Sequence, residues 1–301
     1  LVFKVKMEKM GNILFSITVD DRPDLLRRQI ENLNHFCPNS FVCVHLAANA
    51  QFTRHELSTY VNLDNIIVNP LSYEVLPKKG CLHAHVSNFR YAIEQGVDFD
   101  KILLCSPNEL LLRHGLSEHL AKHALGTQIE LFDAVETFES WSIFREETLA
   151  FPEIEKFLST LGLPVFAGGQ AEGQFFKKTI FQSLERIFLD NFPLAPCGFP
   201  SEQIVPATIA MCYGMNGGDV AMPITFIDHS SHVQVSDEIV SMIQTGKGAI
   251  YAPGKAKSLR PIHIGSGVLK DIFAISCTDS GGYDPWEKLH KQASEGREAI
   301  S

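Results

Sequence analysis

At 301 residues, with 45% hydrophobic and 20% charged side chains and a formal net charge of −9, the sequence has the composition of an ordinary globular chain able to bury a sizeable core. Lysine and arginine never run beyond a pair, so the acidic balance argues against a nucleic-acid partner, while a small anion held by a few local cations stays open. The seven cysteines are scattered, odd in number and free of CxxC spacing, which reads as free thiols in a reducing compartment, and no stretch approaches the roughly 20 apolar residues of a membrane span.

The N-terminal LVFKVKMEKM is short and interrupted by lysine, unlike a secretory leader, and Met7 or Met10 is a candidate start. The expectation is a cytoplasmic protein without a transmembrane segment. From residue 13 to about 125 apolar strands alternate with amphipathic helices, the pattern of a parallel sheet with crossover helices. ILFSITV (13–19) predicts the first strand. DDRPDLLRRQIENLNHF supplies a loop and then a helix with Leu25, Leu26, Ile30, Leu33 and Phe36 on one side. SFVCVHLA (40–47), TRHELSTYV (53–61) and NIIV (65–68) predict strand, short helix and strand. CLHAHVSNFRYAIEQG (81–96) predicts a helix closed by Gly96, and KILLCS (101–106) a fourth strand.

The periodicity weakens from about residue 127. TQIELFDAVETFESWSIF reads as strands with acidic interruptions, EGQFFKKTIFQSLERIFLDNF (172–192) as a short strand and a helix, and SEQIVPATIAMCYG (201–214) as a helix bent at Pro206. VSDEIVSMIQTG (235–246) predicts a helix, LRPIHIGSGV (259–268) a strand and turn, and the last twenty residues a polar tail. No repeat or low-complexity linker separates these parts. The expected organisation is a single α/β domain with an irregular C-terminal half: residues 1–125 as a nucleotide-binding βαβ half, 126–280 as an acceptor and catalytic half, and 281–301 as the tail.

In parallel sheets ligands collect outside the carboxyl ends of the strands, which places DDR after the first strand, ANAQ after the second and PNE after the fourth on one edge. Asp98 and Asp100 form a D-x-D, but they precede the fourth strand and fall at the wrong end for a metal clamp; they read as loop and capping residues. Among the twelve histidines, His83 and His85 are two apart on a helix and cannot share a metal as an i, i+4 pair does. His119 and His123 have that spacing without an HExxH and read as a solvated helix face. His229 and His232 follow an apparent strand end. No GxSxG elbow, Walker sequence or GxGxxG after the first strand is present. GKGAIYAPGKAKSLR (246–260) gathers Lys247, Lys255, Lys257 and Arg260 in a glycine- and proline-marked loop, a candidate cradle for a diphosphate as well as an ordinary solvated loop. Glu202 sits in the first turn of the helix in CGFPSEQIVPATIA, where an acidic side chain suits the helix dipole and Ser201 can cap.

Read together, segments in one order resemble the core-2/I-branching N-acetylglucosaminyltransferase family and its peptide xylosyltransferase relatives. ILFSITVDDRPDLLRRQIENLNHFCPNSFVCVHLA resembles that family's opening strand, helix and "nvyviHvD" strand. KKGCLHAHVSNFRYAIEQGVDFDKILLCSPNELLL is similar to "GgxSlvxaxLnclrxaL…dwdyfinLSGxDfPlk", GQFFKKTIFQSLERI to "gsxyfvlsrefvxyv", and FPSEQIVPATIA to "SPDExxwaTl". The likeness covers about residues 13 to 215, with a weaker echo in LRPIHIGSG. It implies a GT-A-like (Rossmann-like) mixed sheet flanked by helices and an inverting transfer from a nucleotide sugar, expected to be a UDP-sugar, to a carbohydrate hydroxyl, with no cofactor and no divalent metal.

By that resemblance Glu202 is the general base, a carboxylate that takes the acceptor's proton as the hydroxyl attacks. Donor contacts are expected from Thr18, Asp20 and Arg22 at the first strand end, and from Arg260 with Lys257 or Lys270 on the diphosphate. Asn108, Glu109 and Gln174 are expected to face the acceptor. The sequence departs from the pattern at HLAAN for "HvDxK", which removes the aspartate expected to hold the nucleotide base, and at SPNE for "SGxD". The family's membrane anchor and disulfide pattern are also missing from this sequence. Other readings are a metal-dependent transferase using Glu109 with Asp98 or Asp100, a non-catalytic carbohydrate- or nucleotide-binding relative, and a hydrolase using His229 and His232.

Overall fold

The computed structural model describes residues 12–61, 63–75, 80–131, 146, 148–227, 235–247 and 269–276. Strands β1 (Ile13–Val19), β2 (Phe41–Leu46), β3 (Ile66–Val68) and β4 (Lys101–Cys105) lie side by side in the order β3-β2-β1-β4, all parallel. Their crossovers are α1 (Pro23–Phe36), α2 (Arg54–Tyr60) and α3 (Leu82–Glu94). Every residue of β1 is buried, as a strand covered by helices on both faces requires. Its alternation sorts the two faces. Phe15, Ile17 and Val19 pack in one cluster with Leu26, Ile30 and Leu33 of α1 and Leu57 of α2, while Leu14 joins Leu82, Val86 and Phe89 of α3 on the other side.

Helix α3 is pinned to the sheet by polar groups as well as by packing. Asn88 Nδ2 donates to Ser16 Oγ (3.0 Å) and to the carbonyls of Ile17 and Cys43 (3.3 and 3.0 Å). His85 Nδ1 shares a 2.8 Å hydrogen bond with Ser16 Oγ. These bonds fix how far the N-terminus of α3 reaches past the strand ends.

The second half of the chain completes the same sheet. After β5 (Glu109–Leu111) and α4 (Leu116–Lys122), β6 (Leu125–Gly126) is followed by the short pair β7 (Glu130–Leu131) and β8 (Ala167–Gly168), with α5 (Glu153–Leu161) between them. Strand β9 (Phe175–Lys177) inserts antiparallel between β4 and β6, and β10 (Val220–Ala221) adds parallel to β6. Helices α6 (Lys178–Asn191) and α7 (Ser201–Met215) cover the α3 face. A second sheet orders β11 (Thr225–Ile227), β12 (Ala274–Ser276) and β5, with α8 (Asp237–Thr245) packed on it through Ile239, Val240 and Ile243. The mixed α/β sheet flanked by helices agrees with the expected fold class, and both proposed halves supply strands to one sheet.

Several local expectations change. Of TQIELFDAVETFESWSIF only Glu130–Leu131 forms a described strand, and residues 132–145 lie outside the described residues, as do 259–268 and the tail 281–301. His119 is not on a solvated face: it is 7% exposed, against Phe175 and Phe273. Asp98 and Asp100 are exposed at the start of β4, opposite the edge described below. Cys37, Cys43, Cys81, Cys105, Cys197 and Cys212 are free thiols. Among the described residues no helix is long and apolar enough to cross a membrane.

Candidate functional site

A cavity of about 210 Å³ opens at the carboxyl ends of the parallel strands. Thr18 of β1 and Leu104, Cys105 and Ser106 at the end of β4 form its floor; Gly80, Cys81 and His85 reach it from the start of α3, Ala171 and Glu172 from the loop before β9, and Glu202 from the first turn of α7. Antiparallel insertion explains Glu172. Strand β9 starts where β4 ends, Leu104 N–H donating to the Gln174 carbonyl (2.8 Å), so the loop leading into β9 arrives at the ligand edge of the sheet.

Glu202 is held by two helix starts. Its Oε2 accepts from the Cys81 N–H at 2.8 Å, at the N-terminus of α3, and its carboxylate also accepts from its own N–H at the N-terminus of α7. Both helix dipoles favour the charged form. Burial works harder in the other direction and, with Glu172 nearby, pushes the carboxyl up from 4.5 to about 7. That value suits a group exchanging a proton near neutral pH. The Cys81 thiol, bonded to Thr18 and facing Glu202 and Glu172, is held well above its ordinary value chiefly by burial, so it is a protonated, unreactive group. Burial lowers His85 from 6.5 to about 3, and this histidine is neutral.

The expected site residues divide. Thr18 and Glu202 line the cavity. Asp20 is half-buried just beyond β1, its carbonyl accepting from Gln51 N–H (3.1 Å). Arg22 is exposed and ion-paired with Asp24 (2.9 Å), in a left-handed backbone conformation (φ 46) leading into Pro23. Asn108 is half-buried in the turn between β4 and β5, off the cavity lining.

Glu109 does not face the cavity. It is 3% exposed, with Oε1 accepting from the Ser106 N–H (2.7 Å) and Oε2 from Thr225 Oγ1 (2.6 Å). It therefore shapes the turn that presents Ser106. Gln174, expected to face the acceptor, does not: fully buried, it donates from Nε2 to the Glu202 and Gln170 carbonyls (both 2.8 Å) and stands behind the lining rather than on it. Lys270 is exposed, off the lining, and its carbonyl is bonded by Arg113. Lys257, Arg260, His229 and His232 lie outside the described residues.

Glu172, Cys81, Gly80 and His85 were not singled out as site residues by sequence. A signal existed for Glu172: GGQAEGQ surrounds it with glycines that allow close packing. A Cβ on Gly173 (φ +72) would come within 2.3 Å of Thr225 Oγ1, and one on Gly169 within 2.2 Å of the Gln128 carbonyl oxygen. Among the described residues no group of three or more His, Cys, Asp or Glu is placed to hold a metal ion.

No family model and no curated protein matches the chain. In structure it is similar to a galactosyltransferase, LgtC, in complex with donor and acceptor sugar analogs, at 13% identity and a TM-score of 0.45 over 94% of this chain and 95% of that one. It is also similar to a mannosyltransferase from Pyrobaculum calidifontis in complex with GDP-Man and Mn2+, at 13% identity and a TM-score of 0.40 over 71% of this chain and 55% of that one.

Proposed function

We propose that the chain is a glycosyltransferase that moves a sugar from a nucleotide sugar, expected to be a UDP-sugar, to a carbohydrate hydroxyl with inversion, and that Glu202 is its general base. The observation carrying this reading is the Glu202 carboxylate at the carboxyl edge of the parallel sheet, held by the Cys81 N–H and pushed up to about 7. The step balances simply. Glu202 takes the acceptor hydroxyl proton as the oxygen forms its bond to the anomeric carbon, and the bond from that carbon to the diphosphate breaks on the opposite face, the electron pair leaving with the nucleoside diphosphate. The described cavity is smaller than the roughly 300–1,000 Å³ of a pocket that encloses a whole ligand, which suits the reacting sugar rather than the complete donor.

The resemblance of the quoted segments to the core-2/I-branching and peptide xylosyltransferase group supports the inverting, metal-independent form of the reading. In this reading Arg260 and Lys257 carry the charge of the leaving diphosphate; Lys270, off the lining, is the weaker partner. Glu202→Gln is expected to keep nucleotide affinity, measured by calorimetry, while lowering turnover by about 10²-fold or more. Unchanged turnover removes Glu202 from the mechanism. Donor turnover in EDTA equal to that with added Mn2+ supports metal independence, and its loss on chelation favours the metal-dependent form. Binding of free sugars without nucleotide affinity favours a carbohydrate-binding protein instead.

A further inference from the structure

The first turn of α7 contains a gap in its backbone ladder that the sequence creates and another segment fills. In an α-helix each N–H reaches the carbonyl four residues earlier, so a proline at position 206 leaves the carbonyl of Glu202 without its intrahelical donor. Pro206 lies inside α7, and the helix runs on through it to Met215. Ser201, Ile204, Val205 and Pro206 around it are buried. The missing donor is supplied by Gln174, whose Nε2 reaches the Glu202 carbonyl at 2.8 Å.

Gln174 is well placed to impose a position. It is fully buried, its backbone carbonyl is tied to β4 through Leu104 N–H (2.8 Å), its Oε1 accepts from Thr127 Oγ1 (3.0 Å), and its second Nε2 hydrogen goes to the Gln170 carbonyl (2.8 Å). The next carbonyl along, that of Gln203, accepts from Gly169 N–H (3.0 Å). The start of α7 is thus referenced to the sheet edge. Gln170 extends the arrangement to the other carboxylate-bearing loop, donating from Nε2 to the Glu172 carbonyl (2.8 Å).

We propose that Gln174 is a positioning residue: it replaces the N–H that Pro206 lacks and thereby fixes the backbone from which the Glu202 carboxylate meets the Cys81 N–H. The inference rests on Glu202 being the base only where turnover is the readout. The position itself is read separately through the Cys81 amide, the hydrogen-bond partner of Glu202 Oε2.

The test compares the full chain with Gln174→Leu, which keeps the bulk and loses the donor, and with Gln174→Leu combined with Pro206→Ala, which restores a helix N–H for the Glu202 carbonyl. Gln174→Leu is expected to lower kcat about tenfold with little change in donor KM, since a base displaced by a fraction of an ångström loses alignment before it loses binding. It is also expected to shift the Cys81 amide resonance and speed its hydrogen exchange. The double variant is expected to recover both. If Gln174→Leu leaves the Cys81 amide unmoved, or if the double variant folds with a wild-type circular dichroism spectrum yet recovers neither signal, the proposal is overturned. If the amide shifts and recovers while Glu202→Gln keeps full turnover, the positioning stands and the base assignment falls. Should Gln174→Leu fail to fold, Thr127→Val removes the anchor on Gln174 Oε1 together with a longer contact to the Gln128 carbonyl (3.5 Å) and leaves Gln174 itself in place; a smaller change of the same sign at Cys81 supports the proposal and none overturns it.

Discussion

Two glutamates near the cavity show how one residue type takes different work from its surroundings. Glu202 is partly exposed and anchored by N–H groups at helix starts; Glu109 is sealed in and bonded to Ser106 and Thr225. Burial is the first cause of both upward shifts, to about 7 for Glu202 and about 8 for Glu109. A base works only when ionised, so kcat/KM is expected to fall as pH drops through about 7, measured over pH 5 to 9. A limb near 4.5 instead means that Glu202 is not the titrating base. Glu109 gives a stability effect. Its folded value lies above the ordinary 4.5, so its contribution is whole below 4.5 and is lost as pH rises toward 8. Glu109→Gln keeps the shape and removes the titration. The decline in melting temperature between pH 6.5 and 8.5 is expected to be shallower in this variant than in the parent; equal slopes refute the assignment.

At the scale of elements, the site is the meeting of two helix N-termini across the end of a strand. Helix α3 lacks a side-chain cap of its own, and Glu202, far along the chain, supplies the acceptor at Cys81. The approach is close enough to need glycine at position 80. Its φ is +87, and a Cβ there would lie 2.4 Å from Ser201 Oγ and 2.7 Å from Ser201 N. Gly80→Ala combines a left-handed backbone, costing about 1–2 kcal/mol for a residue with a side chain, with a clash against backbone. It is expected to lower the urea midpoint and to raise the exchange rate of the Cys81 amide; a wild-type midpoint means that the helix starts have more room than described. The first-turn acidic residue was legible in the sequence as a local signal. Its reach to Cys81, and the need for glycine at position 80, were not, because capping across helices depends on where α7 lands after the sheet has formed.

Across the whole molecule, buried titrating groups set a stability profile with opposing limbs. His45, His85 and His119 are lowered from 6.5 to about 4, 3 and 4, each chiefly by burial, so their contribution is whole above 6.5 and is lost as pH falls through 4. Glu109 and Glu202 act in reverse from 4.5 upward. The two sets offset each other between 4.5 and 6.5, and each acts alone outside that window. Calorimetry at pH 3.5, 5.5 and 8.5 is expected to give the highest melting temperature at 5.5; a steady rise to 8.5 contradicts the burial of these groups. By itself the sequence determined the four parallel strands of the first half with their crossover helices and the helix that carries Glu202, because hydrophobic periodicity is a local property; the cap expected from Ser201 does not form. It also marked Thr18 as a strand-end residue. Only the tertiary structure decided that β9 inserts antiparallel and delivers Glu172 to the same edge, that Glu109 turns inward, and that Gln174 serves the backbone of Glu202 instead of a ligand. Strand order and the partners of buried polar groups are set by contacts between segments far apart in the chain, and no local pattern encodes which distant carbonyl a buried amide will find.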